Sequence, residues 1–326
     1  MDLVYIIGAH RSGATILGTI LGSRPGTFFV GELYRFPAPI VRSQDRERTC
    51  SCGAPILDCP FWSRVCAEGG DEGQLLARLH LGQRRFERWS KLFSTISRLR
   101  RNDPALASHV TDMIEFLRVI AHDAGASTIV ESSYNPLRGR LYAHVPAASV
   151  RVRYIHLVRD GRRFLASELA SPKTRDGPRP WVRAAPVVVA RWVFFNLFSL
   201  WLCAGSRDRY LRVRYEDLVR SPEATLLRLQ EFLGWDLQEV GRRLVAGGSI
   251  PMRHIAAGNR VRLKGELALR PELSDPVPLP FLATAMFWTM AGWLALALGY
   301  PLRGPGASGS SRNGVGRGPP EPAPRF

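Results

Sequence analysis

The chain of 326 residues is short of acid: 28 Asp and Glu stand against 45 Lys and Arg, a formal net charge of +17. Such an excess suits an anionic ligand or an anionic membrane face, and it speaks to partners, not to fold. The features that accompany charge in a nucleic-acid binder are missing, since there is no zinc-finger spacing, RNP signature or basic heptad region. Nucleic acid is therefore not expected as a partner. Internal repeats are absent too, which excludes a solenoid or a propeller. No secretory leader is visible: the first apolar run is short, follows Asp2 rather than basic residues, and passes straight into a loop with chemistry of its own. A cytoplasmic protein is expected, with association at the cytoplasmic face of a membrane left open. With 45% hydrophobic residues the chain can bury a large α/β core.

What the sequence does contain is concentrated at its start. Leu3-Val4-Tyr5-Ile6-Ile7 is an uninterrupted apolar run, as expected of a strand buried on both faces of a parallel sheet. It leads into Gly8-Ala9-His10-Arg11-Ser12-Gly13-Ala14-Thr15 and then Ile16, Leu17, Ile20 and Leu21 at helical spacing. A strand, a glycine-bearing loop and a helix N-terminus make a phosphate cradle of backbone N–H groups. Gly8, Gly13 and Thr15 keep the spacing of a Walker A loop. The lysine that reaches the β- and γ-phosphates beside magnesium in such a loop is missing, because Ala14 stands there and the nearest cation is Arg11. The loop therefore predicts one phosphate held without metal. It counts against a P-loop kinase or NTPase, for which Asp160 at the end of a strand is the one remaining Walker B candidate.

Three later segments extend the pattern. Arg159-Asp160-Gly161-Arg162-Arg163-Phe164-Leu165-Ala166-Ser167 follows a strand-like run over 152–158. An arginine at a strand's carboxyl end and a serine about two turns along the next helix can converge on one phosphate. Arg214-Tyr215-Glu216-Asp217-Leu218-Val219 and Gly258-Asn259-Arg260-Val261-Arg262 follow in order. Each segment alone has a plainer reading, such as a surface ion pair or helix-start chemistry. Their order along one chain is the specific signal.

Together, over about residues 3–300, they resemble the family of sulfotransferases that use 3′-phosphoadenylyl sulfate (PAPS). The resemblance implies a three-layer α/β/α fold with a central parallel sheet of the P-loop type and the donor at the carboxyl ends of the strands. It implies transfer of a sulfuryl group from PAPS to a hydroxyl or amine of a carbohydrate, lipid or other small acceptor, with adenosine 3′,5′-bisphosphate as product and no metal required. On this resemblance Arg159 and Ser167 hold the 3′-phosphate, and Arg11, Ser12, Gly13, Ala14 and Thr15 hold the 5′-phosphate. Tyr215 lies near the adenine, while Gly258, Asn259 and Arg260 close over the donor. Arg11 also stabilises charge at the bridging oxygen. Glu32, in Val30-Gly31-Glu32-Leu33, stands where related enzymes place a catalytic acidic residue and is the expected general base, against the reading of a surface or capping carboxylate. His10 and His156 are lesser candidates. One departure stands out: relatives commonly carry lysine where this chain has Tyr134, leaving Arg11 and Arg138 as replacements. The alternative is a non-catalytic nucleotide-binding or membrane-associated relative.

The organisation read from the sequence is a single domain over 1–300, with an acceptor-side insert at about 36–125 and a disordered tail over 301–326. Within the insert, helices are expected over 72–101 and 104–124. Cys50, Cys52, Cys59 and Cys66 lie in a Pro- and Gly-bearing loop; buried thiols are the default, with zinc and a disulfide as alternatives. The uncharged apolar run at 277–298 reads first as a terminal helix packed on the core and second as a membrane anchor. A packed helix is expected over 187–203, because Arg191 and Asn196 interrupt its apolar run. Ser221-Pro222-Glu223 predicts a capped helix start, and Gly234 its end.

Overall fold

The computed structural model describes residues 1–36, 49–68, 74–144, 150–170, 181–203, 207–269 and 279–302. The expected tail, from residue 303 onward, lies outside them.

β1 (Asp2–Ile7), α1 (Ala14–Gly22) and β2 (Thr27–Gly31) open the chain. The insert follows with α2 (Pro60–Glu68), α3 (Gln74–Gly82), α4 (Leu92–Arg100) and α5 (Pro104–Asp123). Then come β3 (Thr128–Glu131), α6 (Pro136–Tyr142), β4 (Arg151–Val158), α7 (Gly161–Leu169), α8 (Trp181–Leu202) and β5 (Tyr210–Arg214). α9 (Tyr215–Arg220), α10 (Pro222–Leu233), α11 (Gln238–Val245), β6 (Ile250–Pro251), β7 (Glu266–Leu267) and α12 (Phe281–Ala297) complete it.

The five long strands form one parallel sheet in the order β2-β3-β1-β4-β5, while β6 and β7 pair antiparallel on their own. β1 lies at the centre, with Leu3 opposite both Ile129 and Val152. Its run of apolar residues has a simple reason. Leu3, Tyr5 and Ile7 point into a core shared with the insert helices, while Val4 and Ile6 point into a second core with α1, α9 and α10. Period-two alternation that is apolar on both faces is what a sheet covered on both sides requires. A third cluster packs α7, α8 and α12 together around Phe164, Trp192 and Phe287. The result is the expected three-layer α/β/α arrangement.

Three expectations about the helices change. The helix predicted over 72–101 is broken: α3 ends in a π-turn at Gln83–Glu87 and a 3₁₀ turn at Trp89–Lys91 before α4 begins, and residues 72 and 73 fall outside the described set. The π-turn carries Glu87 into the protein, where it meets His109 and Arg138. Ser221 makes no side-chain cap; its N–H donates to the Asp217 carbonyl, so it serves as the joint between α9 and α10. Pro222 at the first helical position and Gly234 in the left-handed conformation are as predicted. The apolar run at 277–298 is helical from Phe281, and 277 and 278 lie outside the described residues. α12 lays Ala283, Phe287, Ala291 and Leu294 on the core and leaves Phe281, Leu282 and Trp293 exposed. α8 is long and apolar enough to cross a membrane; Trp192 and Asn196 are fully buried in it, while Val187, Phe194, Leu197 and Trp201 are exposed.

Candidate active site

The loop between β1 and α1 sits at the carboxyl end of the central strand, where an open α/β sheet offers its crevice. Arg11 and Gly13 both have positive φ, 62° and 96°, which turns the backbone so that α1 starts sharply. Gly13 is the N-cap residue and supplies no side chain to the helix; Ile16 N already donates to the Gly13 carbonyl at 2.9 Å, so the N–H groups of Ala14 and Thr15 are the ones offered to an anion. A β-carbon on Gly13 would overlap the ring of Tyr215, which lies directly against the loop. The Arg159 guanidinium in turn stacks over that ring at 4.8 Å from its centroid.

Arg11, Arg159 and Ser167, far apart in sequence, meet here. Arg159 Nη1 donates to the Arg11 carbonyl at 2.7 Å, and Arg11 Nη1 lies 3.4 Å from Ser167 Oγ. The Arg159 backbone is fixed from below by Trp192 Nε1, which donates to its carbonyl at 3.0 Å. Glu168, one residue beyond Ser167, pairs with Arg11 Nε and Arg191 Nη2 and lies 3.7 Å from His10 Nε2. Burial would push this carboxyl up, but the nearby His10 and the charges of Arg191 and Arg11 hold it down to about 2. Glu168 is thus an ionised counter-charge beneath the cations.

Glu32 stands on the other side of the loop, just past β2. Its N–H donates to the Ala257 carbonyl at 2.9 Å, and its Oε2 is buried 3.4 Å from Arg35 Nη1 without a hydrogen bond. Burial raises the Glu32 pKa, and Arg35, the Tyr134 hydroxyl hydrogen bond, Arg262 and His10 offset only part of that rise. Tyr134 itself has a positive φ of 37°, and burial together with the Glu32 charge pushes its hydroxyl up to about 12. The late basic turn also arrives at this point. A methyl placed on Gly258 would lie 3.6 Å from Thr15 Oγ1 and 3.8 Å from Glu32 Oε1. Asn259 caps the following 3₁₀ turn by accepting from Val261 N, and Arg260 is exposed beside it. Ser12, by contrast, is buried under the loop with its N–H on the Ala9 carbonyl.

A sequence model of the sulfotransferase family matches residues 3–239. The chain belongs to the sulfotransferase family. Solved sulfotransferases share its fold. A domain from the curacin biosynthetic pathway is 17% identical, with 93% of this chain and 99% of that one covered and a TM-score of 0.56. The enzyme STF9 of Mycobacterium avium is 12% identical, with 92% and 78% covered and a TM-score of 0.50. A comparison with curated proteins by sequence found no match.

Two residues considered for the sulfotransferase site, Arg138 and His156, and the one Walker B candidate, Asp160, do other work. Arg138 is 1% exposed and bonds Glu131 Oε1 at 2.8 Å and Glu87 Oε1 at 3.0 Å, so it is the cation of a buried cluster and no substitute for a donor-site lysine. His156 is fully buried between Tyr210 Oη and Asn196 Oδ1, and burial pushes it down to about 4, so it is a structural imidazole. Asp160 caps α7 and pairs with Arg162. Sequence reasoning missed Glu168 and Arg191, whose pairing only the α7–α8 contact creates. It also missed the aromatic wall beside Tyr134, where Phe195 lies 5.6 Å from His10 and Trp89 and Phe194 continue outward at 5.0 Å from each other.

Proposed function

We propose that this sulfotransferase takes PAPS as donor and moves its sulfuryl group to a hydroxyl or amine on an acceptor with an apolar body. The observation that carries the reading is the convergence of Arg11, Arg159 and Ser167 on an α1 N-terminus that no side chain caps. These residues suit the donor's chemistry. The open N–H groups of the loop, with Thr15, fit a 5′-phosphate; Arg159 and Ser167 fit the 3′-phosphate; the Tyr215 ring offers a face to the base. Glu168 holds Arg11 and Arg191 in place beside the loop.

In the transfer, the acceptor oxygen forms a bond to sulfur as the bond from sulfur to the bridging phosphate oxygen breaks. The acceptor proton passes to Glu32, and the bridging oxygen leaves with the bisphosphate carrying the negative charge. A carboxylate raised by burial is a stronger base than one in water. With Arg138 withdrawn into its own cluster, Arg11 supplies the positive charge at the leaving oxygen. The wall of Phe195, Trp89 and Phe194 leads from Tyr134 to the surface, where Trp89 and Phe194 are exposed, and this favours a lipophilic or aromatic acceptor.

Calorimetry tests the donor. The protein is expected to bind adenosine 3′,5′-bisphosphate without magnesium more tightly than ATP with magnesium. Arg159→Ala is expected to weaken the bisphosphate far more than adenosine 5′-phosphate. Equal losses for the two nucleotides, or a preference for ATP and magnesium, would overturn the assignment.

A further inference from the structure

The cysteine-bearing loop of the insert and the segment before the late basic turn meet at a point that sulfuryl transfer does not use. The sulfurs of Cys50, Cys52 and Cys59 and a ring nitrogen of His254 all lie within 4.8 Å of one another. Cys59 Sγ is 3.2 Å from His254 Nδ1 and 3.7 Å from Cys52 Sγ, and Cys50 Sγ is 3.8 Å from the same nitrogen. Cys66, which the sequence groups with these three, packs against the hydrophobic core from α2 instead. Histidine takes its place from about two hundred residues away.

These separations have a definite chemical meaning. A tetrahedral zinc ion with Zn–S near about 2.3 Å and Zn–N near about 2.0–2.1 Å sets sulfur–sulfur edges of roughly 3.8 Å and sulfur–nitrogen edges of roughly 3.5 Å. The Cys52–Cys59 separation is close to the first edge, and the two sulfur–nitrogen separations lie on either side of the second. A Cys52–Cys59 disulfide would need its sulfurs about 2.05 Å apart and would leave Cys50 and His254 converging on nothing. Thiols that merely fill space do not need to aim at a common point with an imidazole. Three soft thiolates and one imidazole are a donor set for zinc.

The surroundings fix the ligands. Trp62 Nε1 donates to the His254 carbonyl at 3.0 Å, and the ring of Phe61 stacks on that of His254 at 5.5 Å and 11°. Ser51 N donates to the Ile255 carbonyl at 3.2 Å, and Ile255 N returns a bond to Ser51 Oγ at 2.7 Å. The loop and the 253–257 segment are therefore already laced together on both sides of the cluster.

We propose that Cys50, Cys52, Cys59 and His254 bind one Zn²⁺ in a closed, four-coordinate structural site that clips the insert loop to the segment leading into Gly258. Four protein ligands leave no open position, so this zinc takes no part in the reaction. The proposal stands whether or not the donor is PAPS.

Metal analysis tests it. Protein from zinc-supplemented cells, purified with reductant and no chelator, is expected to carry about one zinc per chain by plasma mass spectrometry. Its three cluster thiols should resist iodoacetamide until a chelator is added. Titration of the chelated protein with Co²⁺ should give thiolate-to-cobalt absorption. Cys59→Ser and His254→Ala should lose the metal and Cys66→Ser should keep it. If Cys59→Ser does not fold, Cys52→Ser at its exposed position reads the same ligand set. Less than about a tenth of a zinc per chain with no cobalt absorption overturns the proposal. So does zinc retained in both His254→Ala and Cys52→Ser, or a Cys52–Cys59 disulfide in protein whose free thiols were blocked at lysis.

Discussion

Neutralising Glu168 separates its two roles, as a tie for the fold and as a competitor for the anion. Glu168 pairs with Arg11 and Arg191 and lies close to His10. Burial opposes its charge, yet the nearby His10 and the two arginines hold its pKa at about 2, against an ordinary 4.5. A folded-state pKa below the unfolded one means stability that is fully present above about pH 4.5 and is lost as pH falls toward 2. At about 1.4 kcal/mol per unit the whole shift would amount to about 3 kcal/mol. Arg11 and Arg191 are 36% and 37% exposed, so solvent screening reduces this to about 1–2 kcal/mol. Glu168→Gln is therefore expected to lose about 1–2 kcal/mol at pH 7 and much less at pH 3. The same change adds one positive charge to the site. At roughly 8 Å and an effective dielectric constant of about 20 that is about 2 kcal/mol toward a phosphate before screening, or roughly tenfold in Kd at ordinary salt. Urea unfolding at the two pH values and calorimetry with adenosine 3′,5′-bisphosphate at two salt concentrations read both effects. A variant as stable as the parent at pH 7, with bisphosphate affinity unchanged or weaker, would refute the reasoning.

Two further substitutions probe the groups flanking the site. Arg138→Met leaves Glu87 and Glu131 buried without their shared cation, and should cost about 3–5 kcal/mol in the urea unfolding free energy; a loss below about 1 kcal/mol would contradict the buried-cluster reading. Tyr134→Phe removes a hydrogen bond that favours ionised Glu32, so the Glu32 pKa should rise further. A base in the role proposed for Glu32 works only when deprotonated, so activity should fall as pH drops through its pKa. The acid limb of kcat/KM should move to higher pH in the variant, and an unmoved limb would remove Glu32 from the role of base.

The fold was legible because its strongest signals are local. Leu3 to Ile7, the loop to Thr15 and the apolar stripe of α1 each follow from residues within one turn or strand of one another. Arg159 and Ser167 could be singled out as a pair because one ends a strand and the other lies about two turns along the next helix, whereas Tyr215 stands out by the family resemblance alone. Where the sequence misled, a distant partner decided. Arg138 reads as a cation near the sulfuryl site until the π-turn brings Glu87 to it from about fifty residues upstream, and 72–101 reads as one helix until that same turn breaks it. The exchange of Cys66 for His254 has the same cause, since no spacing rule links a loop cysteine to a histidine about two hundred residues further along the chain. The one local sign was a histidine in the segment leading to Gly258.

That segment explains why the two sides of the molecule are coupled. Residues 255–262 belong to none of the five strands of the main sheet; their nearest tie to it is the bridge between Gly31 and Ala257. The bridge exists because Gly31 has no side chain and a φ of 80°, for a β-carbon there would strike the Ala257 carbonyl. A single bridge fixes position poorly, since each backbone hydrogen bond contributes only about 1 kcal/mol. The second tie is the lacing of His254 and Ile255 to Trp62 and Ser51 of the insert, with Arg262 Nη2 donating to the Thr49 carbonyl at 3.0 Å. The placement of Gly258 beside Thr15 and Glu32 thus depends on the insert as much as on the sheet. Any change that loosens the cysteine loop should therefore reach Gly258, Thr15 and Glu32 together.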